Sequence, residues 1–484
     1  MISFLIALAV LIGGYFIYGA LVEKVFGVDP QRVTPAVLNA DGIDFVPMPT
    51  WKVFLIQFLN IAGLGPIFGA IMGIMFGPAA FLWIVLGTIF AGATHDFISA
   101  MMSLRSGGMS LPEIVGNELG LTVKQIMRAF SVVLLILVGA VFVLTPSGLI
   151  AGMTPDALDK TFWIAVIFGY YILATLLPID KLIGNLYPVF GAALLFMAAG
   201  LLIYLLVGPV TIPDGFSDGL WSRYADSVHP VFPMMFVSIA CGAISGFHAT
   251  QSPMMARCLK NEKLARPVFY GAMVAEGLVA LIWAAATIAY MGGYNELFAY
   301  MAVDGHAPGT VVRDISMDWL GTAGGILAML GVIAAPITTG DTALRSARLI
   351  TADFLHIDQK KLLKRLLASL PIFAICFVVM MIDFNVLWRY FAWSNQTLAV
   401  FTLWAATVYL ARRRKAYVIT LLPAMFMTAV SISYLLFAPR PEGLGLDWFL
   451  SITIAVAVSL ALLILFMRRV RRLQPTEPLN QPVK

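Results

Sequence analysis

Apolar stretches of bilayer length recur along almost the whole chain, and that alone removes most folds. We count thirteen, near residues 2–22, 52–76, 79–103, 126–146, 161–179, 184–208, 231–252, 267–291, 323–343, 366–383, 386–410, 417–437 and 448–467. A helix needs about 20 apolar residues to cross the hydrocarbon core. Only 12% of the 484 residues are charged and 60% are hydrophobic, whereas soluble domains carry roughly 25% charge. In lipid every backbone polar group needs an internal partner, which helices supply. The expectation is an all-α polytopic membrane protein with a lipid-facing periphery.

Charge placement orients the spans. Of the 31 Lys and Arg, only Lys160, Arg223, Arg313 and Arg440 fall in loops after even-numbered spans, and Arg389 lies within a span. All the others lie on the opposite side, so the N-terminus is expected outside and the C-terminus in the cytoplasm. The net charge of +5 therefore reflects topology and gives no reason to expect nucleic acid. The first stretch, with no basic residue before it and Glu23-Lys24 after it, reads as an uncleaved span. Cys241, Cys258 and Cys376 lie within or beside apolar spans without metal-ligand spacing and read as small core residues. No cofactor or metal is expected. The oligomeric state is not legible.

Two spans are interrupted by glycine at one depth. Lys52 is followed eleven residues later by Gly63, then Leu64, Gly65, Pro66, Ile67, Phe68 and Gly69. Val231 is followed eleven residues later by Gly242, then Ala243, Ile244, Ser245, Gly246, Phe247 and His248. Eleven residues of helix rise roughly 16 Å, half the bilayer. Irregular backbone survives there only where it lines a cavity or holds a ligand, and matched breaks point to a transporter's substrate site. The breaks open two groups of five spans running in opposite directions. That pattern is a LeuT-like 5+5 inverted repeat over 50–208 and 231–411, preceded by an extra span (1–25) and followed by two peripheral spans (416–468) and a cytoplasmic tail (469–484).

Candidate chemistry concentrates at the breaks and at ionisable residues inside spans. Pro66 suits the first position of a half-helix, leaving the N–H groups of Ile67, Phe68 and Gly69 for a carboxylate. The competing reading is that these glycines only let helices pack closely. Ser245, His248 and Gln251 add polar groups at the second break. Thr338, Thr339 and Asp341 supply oxygens for a sodium ion together with carbonyls of the first broken helix, unless Asp341 carries a proton or simply pairs with Arg345. Glu276 stands mid-span with no basic neighbour in sequence, and His95-Asp96 form a second titratable pair; either is a proton carrier or a buried polar clamp. Arg389, in Trp388-Arg389-Tyr390, reaches a substrate carboxylate, closes an outer gate or snorkels to the surface.

The segments GLGPIFGAIMGIMFGPAAFLWIVLGTIFAGATHD, SGFHATQSPMMARCLKNE, APITTGDTALRSARL and LWRYFAWSNQTLA resemble the carbon-starvation protein A (CstA) family from the first span to at least residue 410. The resemblance implies a bacterial or archaeal plasma-membrane transporter of the amino-acid–polyamine–cation superfamily. It also implies uptake of pyruvate or of short peptides when carbon is scarce, with protons as the coupling ion. The best-known members are longer, so this chain reads as a short form. An enzyme is not expected, because no His-Glu-x-x-His or catalytic Ser/Lys arrangement is present. A nutrient sensor that does not transport is the remaining alternative.

Overall fold

The computed structural model describes residues 1–42, 45–176, 179–213, 215–357 and 362–472. Within them the secondary structure is helical apart from one isolated bridge between Val33 and Asn261. The principal helices are α1 (Ile2–Phe26), α2 (Thr50–Ile61), α3 (Gly65–Ile74), α4 (Ala79–Arg105), α5 (Leu121–Ala151), α6 (Lys160–Leu176), α7 (Ile179–Val207), α8 (His248–Ala256), α9 (Glu262–Met291), α10 (Tyr294–Met301), α11 (Pro308–Leu355), α12 (Leu362–Val379), α13 (Phe384–Arg412), α14 (Val418–Phe437) and α15 (Trp448–Arg472). Residues 473–484 of the expected tail lie outside the described residues.

Among the described residues nine helices are long and apolar enough to cross a membrane, ten when the bent pair α2–α3 counts as one span. The other three expected spans fall short of that test for separate reasons. The helix α6 is only 17 residues long. The segment 231–256 is broken. The helix α13 spans 29 residues but is diluted by Arg389, Asn395 and Gln396.

Burial sorts the helices. Rows of exposed apolar side chains on α1, α12 and α15 face outward, Ile17 at 77% exposure among them, as lipid contact demands. The helices α4 and α9 are enclosed. Along α11, Gly321 has φ +65°, which turns the chain between an amphipathic segment, with Val311, Val312 and Ile315 buried, and the long membrane portion. Trp319 of that segment stacks on Tyr204 at 4.7 Å. Ion pairs tie the side expected to face the cytoplasm. The buried Glu262 carboxylate accepts from Arg105 at 2.5 and 2.7 Å, and Glu118 pairs with Arg412 and Arg413.

Candidate functional site

The first break falls at Ala62–Leu64, between α2 and α3, which meet at a 46° bend. The Gly63 N–H turns to the Ile61 carbonyl at 2.9 Å instead of Leu59, and the Thr339 hydroxyl takes the freed Leu59 carbonyl at 3.1 Å. Gly65 already begins α3, so Pro66 sits one position further in than expected. The N–H groups of Ile67 and Phe68 donate to the Leu64 carbonyl at 3.1 and 2.8 Å. They are therefore not available to a ligand, contrary to the sequence expectation. The Leu64 N–H itself has no acceptor among the described residues.

Gly65, Gly69 and Gly73 form a stripe on α3 against which residues 238–241 lie. A Cβ on Gly65 would fall 2.1 Å from the Cys241 Cβ, one on Gly69 2.9 Å from the Ser238 carbonyl, and one on Gly73 2.2 Å from Ile239. Gly242 returns the contact, with a built Cβ 3.6 Å from the Pro66 Cα. The two interrupted segments are thus side by side, and these glycines permit close approach.

The second break opens within the expected Gly242–Gly246 stretch, after an earlier irregular residue at Ile239 (φ −93°, ψ 48°). Gly242 stays in a helical turn, Ala240–Ala243, and the chain becomes extended at Ile244 (φ −157°, ψ 138°) before α8 starts at His248. Asn395 of α13 closes this break. Its carbonyl accepts the Gly246 N–H at 3.0 Å, and its side-chain Oδ1 accepts the Phe247 N–H at 2.7 Å and the Ser245 hydroxyl at 2.9 Å. Asn395 was quoted in the sequence motif but given no role.

Immediately after the break, the expected pair His95-Asp96 comes together with His248 and Glu276. The His95 Nδ1 lies 2.8 Å from Asp96 Oδ1, the His248 Nδ1 2.9 Å from Asp96 Oδ2, and the His248 Nε2 3.4 Å from Glu276 Oε2. All four side chains are fully buried. The order His95–Asp96–His248–Glu276 joins α4, α8 and α9. Among the described residues, neither Glu276 oxygen nor the His248 Nε2 has a hydrogen-bond partner. Because an imidazole stands between the carboxylates, no three ligand-type groups among the described residues converge as a metal ion requires. Small residues make the approach possible. The Thr88 hydroxyl on α4 donates to the Gly242 carbonyl at 3.1 Å, and a Cβ on Gly92 would fall 2.2 Å from the Ala243 carbonyl.

The other candidates lie apart from this chain. Thr338 and Thr339 hydroxyls bond to carbonyls of their own helix, with Thr339 also reaching α2 as described. Asp341 faces Arg345 at 3.8 Å, both buried. Gln251 donates to the Thr250 hydroxyl at 2.9 Å. Arg389 does not approach either break: its Nη1 donates to Glu442 at 2.5 Å, with the arginine side chain 43% exposed. Two buried amides beside the first break carried no sequence role. Gln57 donates to the Ser252 hydroxyl at 3.1 Å, and both polar atoms of Asn60 have no partner among the described residues. Their signal was a neutral amide in an apolar run just before the glycines.

Fold and site together define a multi-pass helical membrane protein with two apposed, interrupted segments and buried ionisable groups at its centre. The chain belongs to the carbon starvation protein CstA family, whose model matches residues 1–158 and 153–322. An uncharacterized membrane protein of Haemophilus influenzae is 44% identical, over 60% of this chain and 91% of that protein. The peptide transporter CstA of Campylobacter jejuni is 30% identical over 63% of this chain and 52% of its own length. The pyruvate/proton symporter BtsT of Escherichia coli is 28% identical over 54% and 45%. The chain spans about half the length of these two named transporters. Crystal structures of mutants of the Eremococcus coleocola manganese transporter share the fold, with TM-score 0.51 and 14% identity over 90% of this chain and 99% of that one.

Proposed function

We propose that the chain is a secondary active importer of a small organic anion, pyruvate-like, driven by protons. The observation that carries this reading is the sealed series Asp96–His248–Glu276 fixed to the second break. A buried ionisable group is costly unless used, and inside a membrane it marks an ion or proton path. Two carboxylates and two imidazoles approach neutrality only by holding extra protons, and unpaired buried charge is strongly unfavourable. His248, with a nitrogen toward each carboxylate, is built to pass a proton between them. Because α8 begins at His248, movement of the second break would alter that passage.

The named relatives favour pyruvate or peptide as substrate. The matched breaks and span directions favour the LeuT-like inverted repeat with thirteen spans, an outer N-terminus and a cytoplasmic C-terminus in a bacterial or archaeal inner membrane. A sodium-coupled variant draws support from the Thr339 hydroxyl on the Leu59 carbonyl, where hydroxyl and carbonyl oxygens meet.

The test is uptake of labelled pyruvate and a labelled dipeptide into proteoliposomes, with proton and sodium gradients imposed separately. Glu276→Gln is expected to keep substrate exchange but lose accumulation driven by a pH gradient. Exchange needs only the loaded carrier to reorient, whereas net uptake needs the empty carrier to return after releasing its proton. Uptake that follows the sodium gradient and ignores the pH gradient would overturn the proton reading.

A further inference from the structure

The side of the membrane read as external is poor in positive charge, with Lys160, Arg223, Arg313 and Arg440 in its loops. Two of these four line one cavity. It measures about 320 Å³ and lies between the end of α5, the start of α6 and the start of α11, with Phe68 of α3 in its wall. That volume is at the low end of small-molecule sites, roughly 300–1,000 Å³. No carboxylate lines it.

Lys160 is exposed and forms no ion pair among the described residues. Arg313 shares one Asp314 oxygen through Nε and Nη2, both at 3.0 Å, while the other Asp314 oxygen accepts the Tyr300 hydroxyl at 2.6 Å. The guanidinium keeps further N–H donors. Gly309 is buried in the cavity wall in the first turn of α11, where N–H groups lack helical acceptors, and its N–H has no acceptor among the described residues. A side chain on Gly309 would fall 2.9 Å from Leu149 and 3.5 Å from the Phe68 ring. Phe68 stands three residues beyond Gly65 on the same half-helix and rests on Trp388 at 5.9 Å. It links the cavity wall to the half-helix that follows the first break.

We propose that this cavity is an outer capture site for a carboxylate anion, held by Lys160 and Arg313 with the Gly309 N–H, before it passes Phe68 to the first break. The inference rests on the transport reading. The anion is a small keto acid or the C-terminal carboxylate of a short peptide, which share the recognised group. Cations at a low-dielectric mouth raise the local anion concentration, an effect that salt screens.

The experiment compares wild type, Lys160→Gln/Arg313→Gln and Lys160→Arg/Arg313→Lys. One arm measures uptake of pyruvate and of dialanine into proteoliposomes at low and high salt. The other measures calorimetric binding of the same two solutes to protein in nanodiscs. The glutamine pair is expected to raise the half-saturating concentration at least tenfold at low salt with the maximal rate unchanged. It should also abolish the salt dependence, and the charge-conserving pair should preserve wild-type behaviour. The solute whose half-saturation moves identifies the source of the carboxylate. An unchanged half-saturation, or a fall in maximal rate alone, overturns the proposal. If wild type transports neither solute, the transport reading fails and binding decides. Wild-type binding lost in the glutamine pair sustains the capture site; equal binding, or none to wild type, overturns it.

Discussion

The two interruptions look alike in sequence and do opposite things in the structure. At the first, the Leu64 N–H and both polar atoms of the Asn60 amide are buried without partners among the described residues. At the second, Asn395 takes the Gly246 and Phe247 N–H groups and the Ser245 hydroxyl. Buried polar groups normally find partners, so an unfilled set beside broken backbone fits a ligand site. A filled set is a joint that fixes the start of α8 and so aims His248 at Asp96 and Glu276. On the proposed reading, the first break receives the solute and the second positions the buried Asp96–His248–Glu276 series.

The largest expected effect strikes the contact between them. Gly65→Ala places a methyl 2.1 Å from the Cys241 Cβ, in a core with no slack. Overpacking of that kind costs roughly 3 kcal/mol or more, read as loss of monodisperse protein in detergent. Cys241→Gly in the same chain removes the opposing atoms, leaving Cα at 3.5 Å, and should recover about half of the loss. Failure of that rescue would show that the clash is not what makes glycine necessary.

Asn395→Ala comes next. It strands two buried donors and the Asn395 Nδ2 contact to Cys241 Sγ at 3.1 Å. The expected loss is roughly 2–4 kcal/mol of stability, followed by chemical unfolding, together with loss of uptake. Asn60→Ala removes a side chain that bonds to nothing, so stability should stay within roughly 1 kcal/mol. Half-saturation should rise about tenfold, or ~1.4 kcal/mol. Equal destabilisation by the two alanines would break the contrast between the open and the locked site.

The sequence exposed the helical membrane architecture because the bilayer imposes it on composition. It also exposed each ionisable residue of the buried His95–Asp96–His248–Glu276 series, because charge inside an apolar run stands out. It did not expose that His95-Asp96, His248 and Glu276 form one series. The contact between His248 and Asp96 closes across 152 positions, where spacing carries no information. Glycine misled in a second way. Gly242 was read as a break because glycine tolerates irregular backbone, but it stays helical and serves close packing. The residue type fits both uses. Asn60 and Asn395 were equally visible as amides, and only their surroundings separate an unfilled group from a joint.

A smaller effect tests whether a sodium ion acts at the first break. Thr339→Val keeps the shape but strands the Leu59 carbonyl, at about 1 kcal/mol. With proton coupling, the variant retains its response to the pH gradient and remains indifferent to sodium. A sodium response in wild type that weakens in this variant would move the coupling site from Glu276 to the first break.

The smallest effect concerns Arg389, which the sequence offered as a partner for the substrate carboxylate. Its guanidinium is bonded to Glu442 across the loop between α14 and α15, and 43% of its side chain is exposed. Water screens the arginine end of the pair, but the Glu442 side chain is only 7% exposed, so its carboxylate needs a donor, and the bond is worth on the order of 1–2 kcal/mol. Arg389→Gln keeps a donor for the Glu442 carboxylate, so stability should change by less than that, and half-saturation for pyruvate or dialanine should stay within about twofold. The same change in a residue that holds the substrate carboxylate removes a charge-assisted bond and raises half-saturation about tenfold or more. A tenfold rise in Arg389→Gln would mean that Glu442 releases the arginine during the cycle. Anion recognition would then extend from the Lys160–Arg313 cavity to α13.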